Sequence, residues 1–153
     1  MKHAQTSVSE AASSAPPPPS AAASKWGDAA YAGFQLLPDV LLKNQRLLGL
    51  SPTELVVLIN VTMHWWYPEI KPFPRATTIA ERIGIDIRTV QRALKRMEDE
   101  LGLIRRVKRD ASEGFSTVIE LDGLVSRLND FAKNDLSYNY RKREGLLPTL
   151  NAV

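Results

Sequence analysis

Arg88, Gln91, Arg92 and Lys95 recur at spacings of three and four residues, which at roughly 100° per residue puts them on one face of a helix. Ile87, Val90, Leu94 and Met97 fall on the opposite face. All four polar side chains donate hydrogen bonds. Arginine matches guanine N7 and O6, glutamine matches adenine N6 and N7, and the lysine point charge suits a phosphate. Each good bidentate pair with a base discriminates by about 1–3 kcal/mol. A plain solvated helix would carry the same residues, because Arg, Gln and Lys are good helix formers common on exposed surfaces.

The surrounding chain distinguishes the two readings. Asp86 stands where an N-cap acceptor would satisfy the first free N–H groups, and Gly84 supplies a tight turn before it. Thr77, Thr78, Ile79, Ala80 and Ile83 predict a compact preceding helix, with the small Ala80 where two helices approach closely. Downstream, Leu103 to Lys108 and Phe115 to Leu121 predict two short strands around the turn-rich Asp110 to Gly114. Arg105, Arg106, Lys108 and Arg109 would set positive charge beside the helix, suited to phosphates, as would the Thr77 and Thr89 hydroxyls. Edge strands also carry Lys and Arg simply to discourage edge-to-edge pairing. Glu113 at the loop tip argues against deep insertion into DNA.

Pro74, the runs Ile79-Ala80-Glu81-Arg82-Ile83-Gly84 and Arg88-Thr89-Val90-Gln91-Arg92-Ala93-Leu94, and Leu101-Gly102-Leu103-Ile104 resemble the winged helix-turn-helix family. That family includes bacterial and phage regulators and the DNA-binding modules of plasmid and phage replication-initiation proteins. The resemblance extends from Gly33 to Phe131. It implies a mainly α fold with a small antiparallel β-hairpin, double-stranded DNA as partner, base reading by Arg88, Gln91 and Arg92, and phosphate binding by Thr77, Thr89, Lys95 and the hairpin cations. Ile87 departs from the pattern, since a polar residue often stands there; its side chain could touch a thymine methyl. A transcriptional regulator acting as a homodimer is the first reading. A replication-initiation or partition factor of a plasmid or phage is the second, and the run Leu36-Leu37-Pro38-Asp39-Val40-Leu41-Leu42 resembles the lead-in of replication proteins. Such proteins usually carry a further helicase-contacting or origin-melting domain, for which nothing fits after Phe131. A protein-interaction module without DNA specificity is the third.

Charge distribution agrees with a nucleic-acid partner. The whole chain carries only +3, but Lys71 to Arg109 holds 11 Lys and Arg against 5 Asp and Glu, a net +6 on an otherwise acidic molecule. The 153 residues, 44% of them hydrophobic, suffice for one domain with a real core, expected over 31–132. Residues 1–30 are Ala/Ser-rich with Pro16 to Pro19 in a row, and predict a disordered tail that serves as a spacer or docks a protein partner. Ser51-Pro52-Thr53-Glu54 is a capping box opening a helix apolar on nearly every side, the centre of the core. Before it, Asp39 is a candidate N-cap for a helix that Gly49 ends. Trp65 and Trp66 are expected to close the central helix, with at least one partly exposed, at a domain edge, a dimer contact or a base-stacking surface. Asp122 is a candidate cap for a last helix carrying Leu124, Val125, Leu128 and Phe131. Residues 133–153, with Tyr138, Tyr140, Arg141, Lys142 and Arg143, form a solvated tail, a phosphate-binding arm or a strand-like extension gripping a partner.

Catalysis fails on inventory: no Cys, isolated His3 and His64, no Gly-rich phosphate loop and no paired carboxylates. No cofactor or metal is expected. With no apolar run long enough for a membrane and no signal-peptide pattern, the expectation is a cytoplasmic protein associated with a bacterial nucleoid or plasmid.

Overall fold

The computed structural model describes residues 20–110, 112 and 117–143. They fall into two units, one ending at Phe34 and one beginning at Gln35. In the first, α1 (Ser20–Trp26) leads into a 3-10 helix at Gly27–Ala32, and the Lys25 ammonium lies 5.3 Å from the centre of the Trp26 ring. The expected disordered tail is thus helical from Ser20 onward. The intrinsic helix propensity of Ala21 to Ala23 favours this helix despite the shortage of large apolar groups. Pro16 to Pro19 lie outside the described residues.

In the second unit, α2 (Asp39–Lys43) and α3 (Gln45–Leu48) replace the single helix expected before Gly49, with the break at Asn44. The Asn44 amide donates to the Val40 carbonyl at 2.9 Å, the local competition that interrupts helices. Asp39 is the first helical residue and makes no cap bond; Pro38 occupies the cap position. Gly49 ends α3 at φ 77°, in the left-handed region.

The predicted capping box opens α4 (Pro52–Thr62): Glu54 N–H donates to Ser51 Oγ at 3.2 Å and Ser51 N–H to Glu54 Oε2 at 2.8 Å. Leu55, Val57, Leu58 and Val61 of α4 are buried in the core. The helix stops at Thr62, before the tryptophans expected to close it; Trp65 is half-buried against the core and Trp66 is exposed.

Around α4 pack α5 (Ala76–Ile83) and α6 (Ile87–Asp99). β1 (Arg105–Val107) and β2 (Val118–Glu120) then form an antiparallel hairpin with Arg105 opposite Glu120 and Val107 opposite Val118. Both strands are shorter than expected, and most of the predicted turn, including Glu113, lies outside the described residues. Ile119 N–H donates to the Pro72 carbonyl at 2.8 Å, so the segment before α5 runs beside β2. The arrangement is mainly α with a small antiparallel hairpin, the winged helix-turn-helix architecture.

The chain returns through α7 (Asp122–Lys133), which buries Leu124 and Leu128. Asp122 is its first residue rather than its cap; Leu124 N–H donates instead to the Leu103 carbonyl at 2.8 Å, so the turn after α6 satisfies one of the free donors of α7. Within the C-terminal stretch, residues 138–143 form α8 (Tyr138–Arg143), a mostly exposed helix rather than a strand-like extension, since the Asp135 carboxylate accepts the Ser137 N–H at 2.9 Å and starts a new turn. Among the described residues no helix is long and apolar enough to cross a membrane.

Candidate nucleic-acid interface

The turn between α5 and α6 sets the geometry of the basic ridge. Ile79 and Ala80 of α5 are buried, and the Ala80 carbonyl accepts both Gly84 N–H, at 2.9 Å, and Ile85 N–H, at 3.1 Å. Gly84 has φ 74°, so the chain reverses sharply where a β-carbon would be strained. Two residues later the Asp86 carboxylate accepts Arg88 N–H at 2.7 Å and opens α6. Val90, Ala93, Leu94 and Met97 then point into the core, with Ile87 partly buried beside them. A thymine contact by Ile87 would use only the part of its side chain that the core leaves uncovered.

The opposite face of α6 exposes Arg88, Gln91, Arg92 and Lys95. Among the described residues no ion pair holds the Arg88 or Arg92 guanidinium. Thr77 is exposed near the start of α5, and Thr89 is half-buried. Arg75, exposed at the cap position of α5, is a further cation that reasoning from α6 and the hairpin alone misses; its place just before the first predicted helical residue was the available signal.

The expected phosphate ligands divide into two groups. Lys108 is exposed at the end of β1 and makes no ion pair among the described residues, whereas Arg109 is half-buried and interacts within the protein. Arg105, Arg106 and Lys95 are instead held by carboxylates. Arg106 gives its backbone N–H to Glu98 Oε1 and its Nε to Glu98 Oε2, both at 2.7 Å, tying the hairpin to α6. Arg105 donates through Nε to Glu120 at 2.6 Å, and Lys71 pairs with the same carboxylate. Lys95 pairs with Asp99 at 2.8 Å. Bidentate, partly buried pairs such as Arg106–Glu98 are the ones that hold geometry, so Arg106 orients the hairpin. The counter-ions were overlooked because Glu98 and Glu120 meet their partners only across the fold; Asp99, four residues after Lys95, was legible.

A second network braces the ridge from behind. Arg96 donates to buried Glu54 at 2.6 Å, to the Gly49 carbonyl at 3.0 Å and to Glu100 at 3.1 Å, linking α6 to the head of α4. Burial alone would raise the Glu54 carboxyl, but Ser51 N–H and Arg96 outweigh it and hold it below the usual carboxylate range. The Arg106 N–H lowers Glu98, and Lys71, followed by Arg105, lowers Glu120. The Ser137 hydroxyl and N–H, with Lys43, hold Asp135 at about 2. His64 accepts from Arg82 across 3.1 Å, since a guanidinium only donates; burial, reinforced by the Arg82 charge, pushes it below its ordinary 6.5.

These shifts all have one sign. A group whose pKa is lower folded than unfolded stabilises the fold above its unfolded value and loses that contribution as pH falls toward the folded one. Thermal unfolding followed against pH should therefore show a shallow fall below about pH 6.5, from His64, and a steep one below about pH 4.5, from the carboxylates. In His64→Gln the shallow step should vanish and the steep one remain. A shallow step that survives this substitution would remove His64 from the account.

Comparison with known proteins bears on the same elements. Residues 48–104 match a family described as a helix-turn-helix domain, a span that runs from the end of α3 through α4, α5 and α6 to the residue before β1. No curated protein matches the chain.

Proposed function

From a chain whose residues 48–104 form a helix-turn-helix domain, a DNA-binding module, we propose sequence-specific binding of duplex DNA by a transcriptional regulator that acts as a homodimer, without catalysis. One observation carries this reading. The outward face of α6 exposes Arg88, Gln91, Arg92 and Lys95 as a ridge of donors, while Val90, Ala93, Leu94 and Met97 on its inward face are buried in the core. Arg88, Gln91 and Arg92 read base edges in the major groove, and Thr77, Thr89, Lys108 and Arg109 contact flanking phosphates. A dimer would address two half-sites about one helical turn apart, or multiples of that, so its operator should be palindromic.

Selection of genomic fragments bound by the purified protein tests this directly. Enrichment of palindromes near promoters is the expected result. Enrichment confined to tandem repeats at one origin or centromere-like locus would replace the regulator with a replication or partition factor. Recovery of fragments at random would leave no sequence-specific function.

A further inference from the structure

We propose that Asp99 restrains the affinity of this domain for DNA by holding the Lys95 ammonium that would otherwise meet a phosphate. The proposal rests on α6 facing DNA and adds a residue that sets how tightly it does so.

The last turn of α6 brings together Glu98, Asp99 and the capping Glu100, three acids at the negative end of a helix, where carboxylates are disfavoured. Two of them have evident structural work. Glu98 accepts both the backbone N–H and the guanidinium of Arg106 and so ties the hairpin to α6. Glu100 accepts from Arg96, the arginine that reaches Glu54 and Gly49. Asp99 ties nothing to anything: among the described residues it ion-pairs with Lys95 alone, one turn back on the same helix. Both side chains are largely exposed, 69% for Lys95 and 49% for Asp99. Lysine preceding the acid by four residues is the weaker orientation for helix stability, and exposed pairs contribute little to folding.

What the pair does change is the charge of the ridge. Lys95 follows Arg88, Gln91 and Arg92 on the exposed face, and Asp99 cancels its charge in the free protein. On DNA the ammonium must leave Asp99 to reach a phosphate. Leaving would bare a carboxylate beside the DNA phosphates, so in the native protein the ammonium stays on Asp99 and adds no counterion release. With the carboxylate removed, Lys95 becomes an unpaired cation whose phosphate contact adds one released counterion.

The test is a cycle on the full chain, using Asp99→Asn, Lys95→Gln and both together, titrated by fluorescence anisotropy against a duplex carrying a selected site and a random duplex of equal length. Asp99→Asn should bind both duplexes about two- to five-fold more tightly. The slope of log affinity against log salt should steepen by about 0.9, with the melting temperature unchanged. Lys95→Gln should cost little in the native background and about two- to five-fold in Asp99→Asn, because only there is the ammonium free. Equal costs in the two backgrounds, or an Asp99→Asn protein indistinguishable from native, would overturn the proposal. Native protein that fails to prefer the selected site would count against base reading by α6 instead, and the cycle on random DNA would still decide the role of Asp99.

Discussion

Gly123→Ala is expected to destabilise the protein by at least about 3 kcal/mol. A β-carbon at Gly123 would lie 2.0 Å from the Gly102 carbonyl oxygen and 3.1 Å from its carbon. Real β-carbons do not approach backbone so closely, and the obstacle is not a side chain that can swing aside. The neighbouring Leu124 N–H bonds the Leu103 carbonyl at 2.8 Å, so α7 cannot back away without leaving a donor unpaired. Nor can the other side retreat easily, because Leu103 is fully buried and its N–H is bonded to the Met97 carbonyl of α6. A fall of roughly 6–12 °C in melting temperature follows for a chain of this size. Ser126→Ala, on the exposed face of the same helix, should stay within about 0.5 kcal/mol of native. If Gly123→Ala melted with the native protein, the docking of α7 on the turn after α6 would be wrong.

The second large effect concerns the ridge itself. Arg88→Ala and Arg92→Ala should each cost about 1–3 kcal/mol on the selected site, and each should relax discrimination at one base position. Neither guanidinium is spent on an ion pair among the described residues, and both are exposed, so truncation leaves the fold intact and its cost falls on binding. Lys108→Ala serves as the contrast. Its ammonium also makes no ion pair among the described residues, but a phosphate ligand carries no sequence information, so affinity should fall alike on selected and random duplexes and the salt slope should lessen by about 0.9. Arg106→Ala, by comparison, should lower the melting temperature as well, since Glu98 would lose the partner that fixes the hairpin. Equal losses on selected and random DNA for Arg88→Ala and Arg92→Ala would remove base reading from α6.

Much of the framework was legible before any coordinates, for a common reason. The capping box of α4, the left-handed glycines at 49 and 84, the Asp86 cap and the two faces of α6 are all written within a few consecutive residues. Local hydrogen bonds and a period of 3.6 residues decide them, and both are properties of a short stretch of chain. Hence the sequence by itself determined that a donor ridge stands opposite an apolar face, with a compact helix packed just before it. What it left open was which cations of the basic segment are available. Arg105 and Arg106 read as phosphate ligands because their charge is visible and their partners are not: Glu120 lies across the hairpin and Glu98 on the preceding helix. Gly123 likewise carries no local signal, since its φ is unremarkable and its need arises from a carbonyl twenty-one residues earlier. The tertiary structure alone decided these points, because charge cancellation and steric exclusion act through space at contact distance, between residues whose separation along the chain bears no relation to their meeting.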